Sequence, residues 1–431
     1  MKVCFHTLGC KVNQYETQAM RELFEKDGYS VCNDNAESDV IVINSCSVTA
    51  ESDRKTRQLL RKCRKANEKA VIVLTGCMVQ AFPDISKELN EADIVMGNKD
   101  FSKICEYVSE FIKTNKRIFV HKNYEKQDCF NTPDISDFEE RTRAYMKIED
   151  GCDRFCSYCI IPYSRGRVRS KSLADIKSEA IRLVNNGFCE IVLVGINLSA
   201  FGKNEDFNIC DAVETLNGIE GLKRIRLGSL EPDHITDEML TRLKNVQKFC
   251  PQFHLSLQSG SDKTLKRMNR KYDTAFYRDL VNRIRKTFEN ASITTDIMVG
   301  FSGETDKDFN DSLEFVKKIG FARAHIFPYS RRSGTLADSF GDHILSAVKS
   351  QRAKEMSAVV KAGERNYIAS LIGKEKPVLF ETPEGEFAVG YTEDYIRVKV
   401  KTNKNLIGQI CPVKLVEGYD DYCIGKLIKD F

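Results

Sequence analysis

Along residues 1–113, apolar β-branched runs alternate with amphipathic helical stretches, and that alternation limits the fold more than any other feature of the chain. The runs are KVCFHTLG, YSVCN, DVIVINS, AVIVLTG and ADIVMGN. Strands so uniformly apolar need cover on both faces, so they predict a parallel sheet between layers of helices. Such sheets take their ligands beyond the carboxyl ends of the strands. Three runs end in a small residue followed by cysteine, at Cys10 (LGC), Cys46 (NSC) and Cys77 (TGC). The first domain, 1–113, is therefore expected to present three thiols in one register along its ligand edge.

Residues 114–140 are polar, end in an acidic run and read as a linker. The alternation resumes over 138–368 with AYMKIED, EIVLVGIN, RIRLGSLE, FHLSLQSG, TTDIMVGF and ARAHIFPYS, separated by helical stretches. Six such units predict a second α/β domain, a partial (β/α) barrel with its chemistry at the carboxyl ends of the strands. The stretch IEDGCDRFCSYCIIPYSRGRVRS sets Cys152, Cys156 and Cys159 just past the first of these strands. After a helical connection, residues 370–431 change to short strands with frequent turn signals, the pattern of a small antiparallel β-barrel.

A chain of 431 residues is long enough for two or three cores. No run approaches a membrane span and the N-terminus has no leader pattern, so a cytoplasmic, reducing setting with no membrane partner is expected. Sixteen cysteines there point to metal binding or core packing, not to disulfides. Cys4 and Cys32 fall inside strands and Cys63 and Cys105 on helical stretches, as packed cysteines do. The two triads differ from these. A closed zinc site takes four ligands, and no further Cys or His lies between Asp134 and Phe188. An iron–sulfur cluster on three thiolates instead leaves one iron open to a small chelating ligand.

The net charge is only +4, so affinity for nucleic acid must come from local patches. Residues 51–69 carry eight Lys or Arg against three acids, and 141–171 repeat that ratio. Arg54, Lys55, Arg57, Arg61 and Arg64 in the first run, and Arg165, Arg167 and Arg169 in the second, are candidates for contacts to a phosphate backbone. From residue 371 onward nine basic residues face ten acidic ones, which favours no partner. GFSGET at 300–305 lacks the G-x-G-x-x-G fingerprint of a phosphate loop.

The C-x3-C-x2-C spacing, with the aromatic Tyr158 before its last cysteine, resembles the signature of the radical S-adenosylmethionine superfamily. The words TLGCKVNQYET, INSCSVT, LTGCMVQ, LVGIN, LGSLEP, HLSLQSGSD, TDIMVGFSGET and YSRRSGT extend the resemblance, over nearly the whole chain, to its methylthiotransferases. The resemblance implies a 4Fe–4S cluster on Cys152, Cys156 and Cys159 that binds S-adenosylmethionine and yields a hydrogen-abstracting radical. It implies an auxiliary 4Fe–4S cluster on Cys10, Cys46 and Cys77 that carries sulfur, with S-adenosylmethionine also the methyl donor, and a C-terminal domain of TRAM type. An external electron donor and a source of sulfur are needed besides. With Tyr158, the polar strand-end residues Gly195, Asn197, Ser229, Glu231, Gln258, Ser259, Asp296 and Arg331 are candidates for holding S-adenosylmethionine. The substrate implied is a tRNA anticodon stem-loop, whose splayed base enters a pocket. Within the family, GCKVNQYET and VGYTEDYIRV look most like the branch that acts on N6-threonylcarbamoyladenosine at position 37. Other branches act on isopentenyladenosine at that position or on an aspartate of a ribosomal protein. From another class, a non-catalytic iron–sulfur RNA-binding protein is the alternative, and an open three-thiolate site argues against it.

Overall fold

The computed structural model describes residues 1–138 and 142–428; Glu139 and Glu140 of the acidic run, Arg141, and residues 429–431 lie outside the described residues. The five N-terminal runs form β1 (Lys2–Thr7), β2 (Ser30–Cys32), β3 (Val40–Ser45), β4 (Val71–Gly76) and β5 (Ile94–Met96). With β6 (Ile118–Val120) they make an all-parallel sheet in the order β2-β1-β3-β4-β5-β6. Every residue of β3 and β4 is buried, which is why these runs are apolar throughout. The order reverses between β1 and β3, and such a switch opens a crevice beyond the carboxyl ends of the two strands.

The reading of 114–140 as a linker needs correction. Its start supplies β6, and its far end is anchored, with Ile135 and Phe138 buried. The backbone N–H groups of Ser136 and Asp137 donate to Glu22 Oε1 at 2.7 and 3.1 Å. Hydrogen bonds more than apolar burial hold this segment, so its polar composition hid its order.

The second unit contains β7 (Ala144–Lys147), β8 (Glu149–Asp150), β9 (Arg169–Ser170), β10 (Glu190–Val194), β11 (Arg224–Leu227), β12 (Ser229–Leu230), β13 (Gln252–Leu255), β14 (Ser292–Val299) and β15 (Arg323–Pro328). Parallel sheets β11-β10-β7 and β12-β13-β14-β15 meet at Gly228, where the third run passes from one to the other. The six runs thus trace one arc, open between β7 and β15 among the described strands. On β14, Thr294, Asp296 and Met298 are partly exposed while Ile293, Thr295, Ile297 and Val299 are buried. Their neighbours Arg323, His325 and Phe327 on β15 are exposed. A parallel sheet covered on both faces would bury both sets, so the arc encloses an open lumen.

Helix Ser346–Ala369 packs along β15, and its Ile368 joins the core of the C-terminal domain. That domain is a closed five-stranded barrel of β16 (Glu375–Glu384), β17 (Phe387–Thr392), β18 (Arg397–Lys401), β19 (Ile410–Gly418) and β20 (Tyr422–Leu427). It seats on the arc through buried arginines: Arg224 donates to Pro377 O at 2.6 Å and Arg226 to Glu393 O at 2.8 Å. No helix among the described residues is long and apolar enough to cross a membrane.

Candidate functional site

Helix α1 (Lys11–Lys26) starts directly after Cys10, α2 (Ala50–Ala66) follows the turn after Cys46, and α3 (Cys77–Ala81) begins on Cys77. The register pairs Thr7 with Asn44 and Asn44 with Thr75, so the three turns leave the sheet at one level. Gly9 adopts φ +110°, and a Cβ there would stand 2.8 Å from Cys46 Cβ, so glycine is what lets the first turn close on Cys46. The Cys10 thiol is exposed and donates to Asn13 Oδ1 at 3.6 Å, whereas Cys46 and Cys77 are buried. Burial pushes the Cys77 thiol up to about 12, with Cys46 and Cys10 both acting on it. No three His, Cys, Asp or Glu side chains among the described residues are grouped to hold a single metal ion. Three thiols along one edge are nonetheless the donor set of a polynuclear cluster, which carries each thiolate on a different metal atom.

Arg165 was expected at a phosphate backbone, and the structure instead buries it completely. Its Nε donates to Cys77 Sγ at 3.2 Å, and its Nη2 to Asn13 Oδ1 at 3.0 Å and Glu16 Oε2 at 2.9 Å. Lys147 Nζ bonds Glu16 Oε1 at 2.7 Å and Asp150 Oδ2 at 2.8 Å. Arg169 is likewise drawn in, 3.2 Å from Asp150 and stacked 4.5 Å from the Tyr124 ring. Two carboxylates and a sulfur buried between the domains need counter-charge, and Lys147 of β7 and the loop after Cys159 supply it together. Only Arg167 of this group stays exposed, 3.4 Å from Asp153.

The second triad lies in the loop beyond β8. Gly151, at φ +88°, runs so close to the returning chain that a Cβ there would stand 2.0 Å from Arg167 O. Cys152 N–H donates to Gly166 O at 2.9 Å and Cys159 N–H to Cys156 O at 3.0 Å, which fixes the loop. All three thiols are half-buried. Burial pushes Cys152 up to about 12, with Cys156, Glu149 and Glu231 acting in the same direction. Arg270 Nη1 lies 3.4 Å from Cys156 Sγ and 3.5 Å from the Tyr158 hydroxyl, and its other nitrogen pairs with Glu231. Arg270 is not among the residues expected from the sequence; it lies in the turn MNRKYD just after the word HLSLQSGSD and outside both basic runs.

A cavity of about 230 Å³ is lined by Val48, Thr49, Tyr158, Cys159, Gln258 and Asp296 among others. Val48 and Thr49 follow Cys46 within three residues, so the cavity reaches from Cys159 of the second triad to the turn after Cys46. Its two sides are clamped, with Ala50 N–H donating to Ser330 Oγ at 3.1 Å and Arg332 Nη1 to Asp53 Oδ2 at 2.7 Å.

The other expected residues divide. Tyr158, Gln258 and Asp296 meet in the cavity, and Tyr158 packs 6.3 Å from Phe301. Gly195 and Asn197 stand against Glu149, whose Oε2 accepts from Asn197 N–H at 2.7 Å. Burial holds that carboxyl well above the usual range, and its Oε1 and Asn197 Oδ1 are both buried without a hydrogen-bond partner among the described residues. Ser229 Oγ is 3.0 Å from Ser256 Oγ. Ser259 only closes a turn, its Oγ accepting from Ser261 N–H at 3.2 Å. Arg331 points outward to Asp338, and its neighbour Arg332 is the buried one, held by Asp53 and stacked 4.8 Å from the Phe82 ring. Arg54, Lys55 and Arg61 are exposed on α2 and Arg57 is half-buried. Arg64 is committed elsewhere, donating to Glu68 O and Ala70 O at 2.9 Å and to Asp93.

Residues 2–97 match the family described as "Uncharacterized protein family UPF0004", and residues 146–316 match the Radical SAM superfamily. An α/β domain and a radical SAM arc, each with a thiol triad, define the class: the chain belongs to the radical S-adenosylmethionine methylthiotransferase family. Among its relatives, Threonylcarbamoyladenosine tRNA methylthiotransferase MtaB of Bacillus subtilis is 36% identical over 99% of this chain and 96% of its own length. MtaB of Thermotoga maritima is 37% identical over 96% of this chain and 94% of its own. A tRNA-2-methylthio-N(6)-dimethylallyladenosine synthase of Clostridium botulinum is 33% identical over 95% and 93%. Among solved structures, the radical S-adenosylmethionine methyltransferase TsrM of Kitasatospora setae matches with a TM-score of 0.57 over 78% of this chain and 77% of its own, at 12% identity, a likeness of fold alone.

Proposed function

We propose that the chain methylthiolates C2 of N6-threonylcarbamoyladenosine at position 37 of tRNA. The observation that carries this reading is the single cavity adjoining Cys159 on one side and the Cys46 turn on the other. Support also comes from the two MtaB relatives, which match over nearly the whole chain. In this reading Cys152, Cys156 and Cys159 hold one 4Fe–4S cluster and Cys10, Cys46 and Cys77 a second. When bound, the first supplies one-electron cleavage of S-adenosylmethionine, with an external electron donor, and the second supplies sulfur.

The chain's own residues set the stage for that chemistry. Arg270 and Arg165 aim a guanidinium at Cys156 and Cys77, favouring the thiolates that metal binding requires. Gln258, Asp296, Asn197 and Tyr158 offer polar groups and a ring to S-adenosylmethionine at the strand ends. Tyr158, Val48 and Phe327 make one wall apolar, which restricts water around a reactive carbon. Arg54, Lys55 and Arg61 on α2 and Arg167 beside the second triad present positive charge for the anticodon stem-loop. A tRNA substrate and free thiols both suit the cytoplasm.

Nucleoside mass spectrometry of tRNA treated with reconstituted, reduced protein tests the reading. Rapid 2-methylthiolation of tRNA bearing threonylcarbamoyladenosine, against little on the same tRNA without that group, is the expected result. Preference for isopentenyladenosine moves the chain to the dimethylallyl branch. Modification of no tRNA at all rejects the assignment.

A further inference from the structure

The arc's lumen holds more positive charge than it neutralises. Glu190, fully buried, lies 3.9 Å from Arg143, 3.5 Å from Arg224 and 3.0 Å from Arg226. Glu381, 2.7 Å from Arg143, is the one further carboxylate bonded to these three guanidiniums among the described residues. The Tyr395 ring stands 4.9 Å from both Arg143 and Arg226. Asp296, which also lines the cavity, is 3.3 Å from His254.

Among the described residues Lys11 and Arg323 are the cations left over, and Arg323 stands at the start of β15, the end away from the cavity that Phe327 and Pro328 line. The Lys11 ammonium lies 5.7 Å from the Tyr145 ring, in the field of Arg143, Arg226, Tyr395 and His325, and among the described residues it makes no hydrogen bond and no ion pair. It is only partly exposed and follows Cys10 directly. An unpaired ammonium among arginines, beside an open lumen whose β15 wall still shows Arg323, His325 and Phe327, calls for an anion from outside the chain.

We propose that Lys11 recognises the carboxylate of the substrate's threonylcarbamoyl group, drawing that group into the lumen beside the Cys10 triad. This rests on the substrate reading above and deepens it. A neutral isopentenyl group brings no charge for Lys11, whereas a carboxylate completes a charge-assisted hydrogen bond. The three guanidiniums do not compete for it, because Glu190, Glu381 and the carbonyls of the C-terminal barrel occupy them.

The test measures binding without turnover. Reconstituted full-length protein, in wild-type, Lys11→Gln and Lys11→Arg forms, is titrated with three labelled anticodon stem-loops: one with threonylcarbamoyladenosine, one with its carboxyl as the methyl ester, and one unmodified. Iron content and melting temperature are read alongside. The expected result is a loss of about ten- to a hundredfold for Lys11→Gln on the acid form alone, with the ester bound equally by both proteins and affinity largely kept by Lys11→Arg. Equal losses on acid and ester, or no loss, overturn the proposal while the substrate reading stands. So does slower deoxyadenosine formation by Lys11→Gln without RNA, which would assign Lys11 to the carboxylate of S-adenosylmethionine. Wild-type protein that binds all three stem-loops alike overturns the substrate reading, and the role of Lys11 with it.

Discussion

Arg165 illustrates how one residue's meaning depends on its surroundings. In the sequence it belongs to a basic run, and in the fold it joins Cys77, Asn13 and Glu16 with no exposed surface. Removing one partner from a buried ionic cluster leaves the others uncompensated, at a cost of about 3–5 kcal/mol. Arg165→Met should therefore lower the melting temperature and shed iron from the Cys10, Cys46 and Cys77 site, while iron on the second triad remains. Unchanged stability would remove Arg165 from this role. Glu179 offers a separate, pH-dependent test. It is fully buried, accepts from the Tyr15 hydroxyl at 2.8 Å and pairs with Lys171. Burial lifts its carboxyl to about 7 against the lowering effect of Lys171. The folded chain then keeps a proton that the unfolded chain releases near about 4.3. The stability from this group is full below that value and is lost as pH rises through about 7, a change of roughly 3 kcal/mol. Glu179→Gln should flatten the fall in denaturation midpoint between about pH 4.5 and 7, and an equally steep fall in the variant would disprove the shift.

Helix α2 shows how an element sorts residues that composition treats alike. Thr49 caps it, accepting from Ser52 N–H, and Thr56, Leu60 and Cys63 face the sheet. Arg54 and Arg61, two turns apart, are left on the solvent side, whereas Arg64 ties the helix end to backbone carbonyls. Arg54→Glu with Arg61→Glu should weaken binding of all tRNAs alike and reduce the salt slope by roughly one per lost contact, since phosphate contacts carry no sequence information. Arg64→Glu should instead unfold the protein more easily, with no separate change in salt slope. Filter binding over a salt series distinguishes these outcomes. A selective loss for one tRNA would place α2 at a base.

At the scale of the whole molecule, the decisive relation is that Cys159 of one domain and the turn after Cys46 of the other line one cavity. Replacing Cys152, Cys156 and Cys159 with Ala should leave one cluster by iron count and abolish deoxyadenosine formation. Replacing Cys10, Cys46 and Cys77 should leave the other, with deoxyadenosine still formed and no methylthiolated product. Reductive cleavage surviving the first set of changes would reverse the roles assigned to the two sites.

Local pattern determined much of this protein by itself. Uniformly apolar runs dictated parallel strands because buried faces exclude polar side chains, and a small residue before Cys10, Cys46 and Cys77 marked where each strand turns. The spacing of Cys152, Cys156 and Cys159 is likewise local, since it sets three thiols within one short loop whatever the rest of the chain does. What the sequence left open depends on pairs distant along the chain. Asp53 meets Arg332 and Glu16 meets Arg165 only once the domains close, and Glu190 gathers Arg143, Arg224 and Arg226 only once the strands of the arc line up. Charge in a sequence is legible as number and sign, but whether a cation faces water, a carboxylate or a sulfur is settled by burial. That is why Arg165 and Arg169 changed from surface contacts to buried counter-ions, and why Lys11, one of many lysines in the sequence, is left without an ion pair beside Cys10 among the described residues.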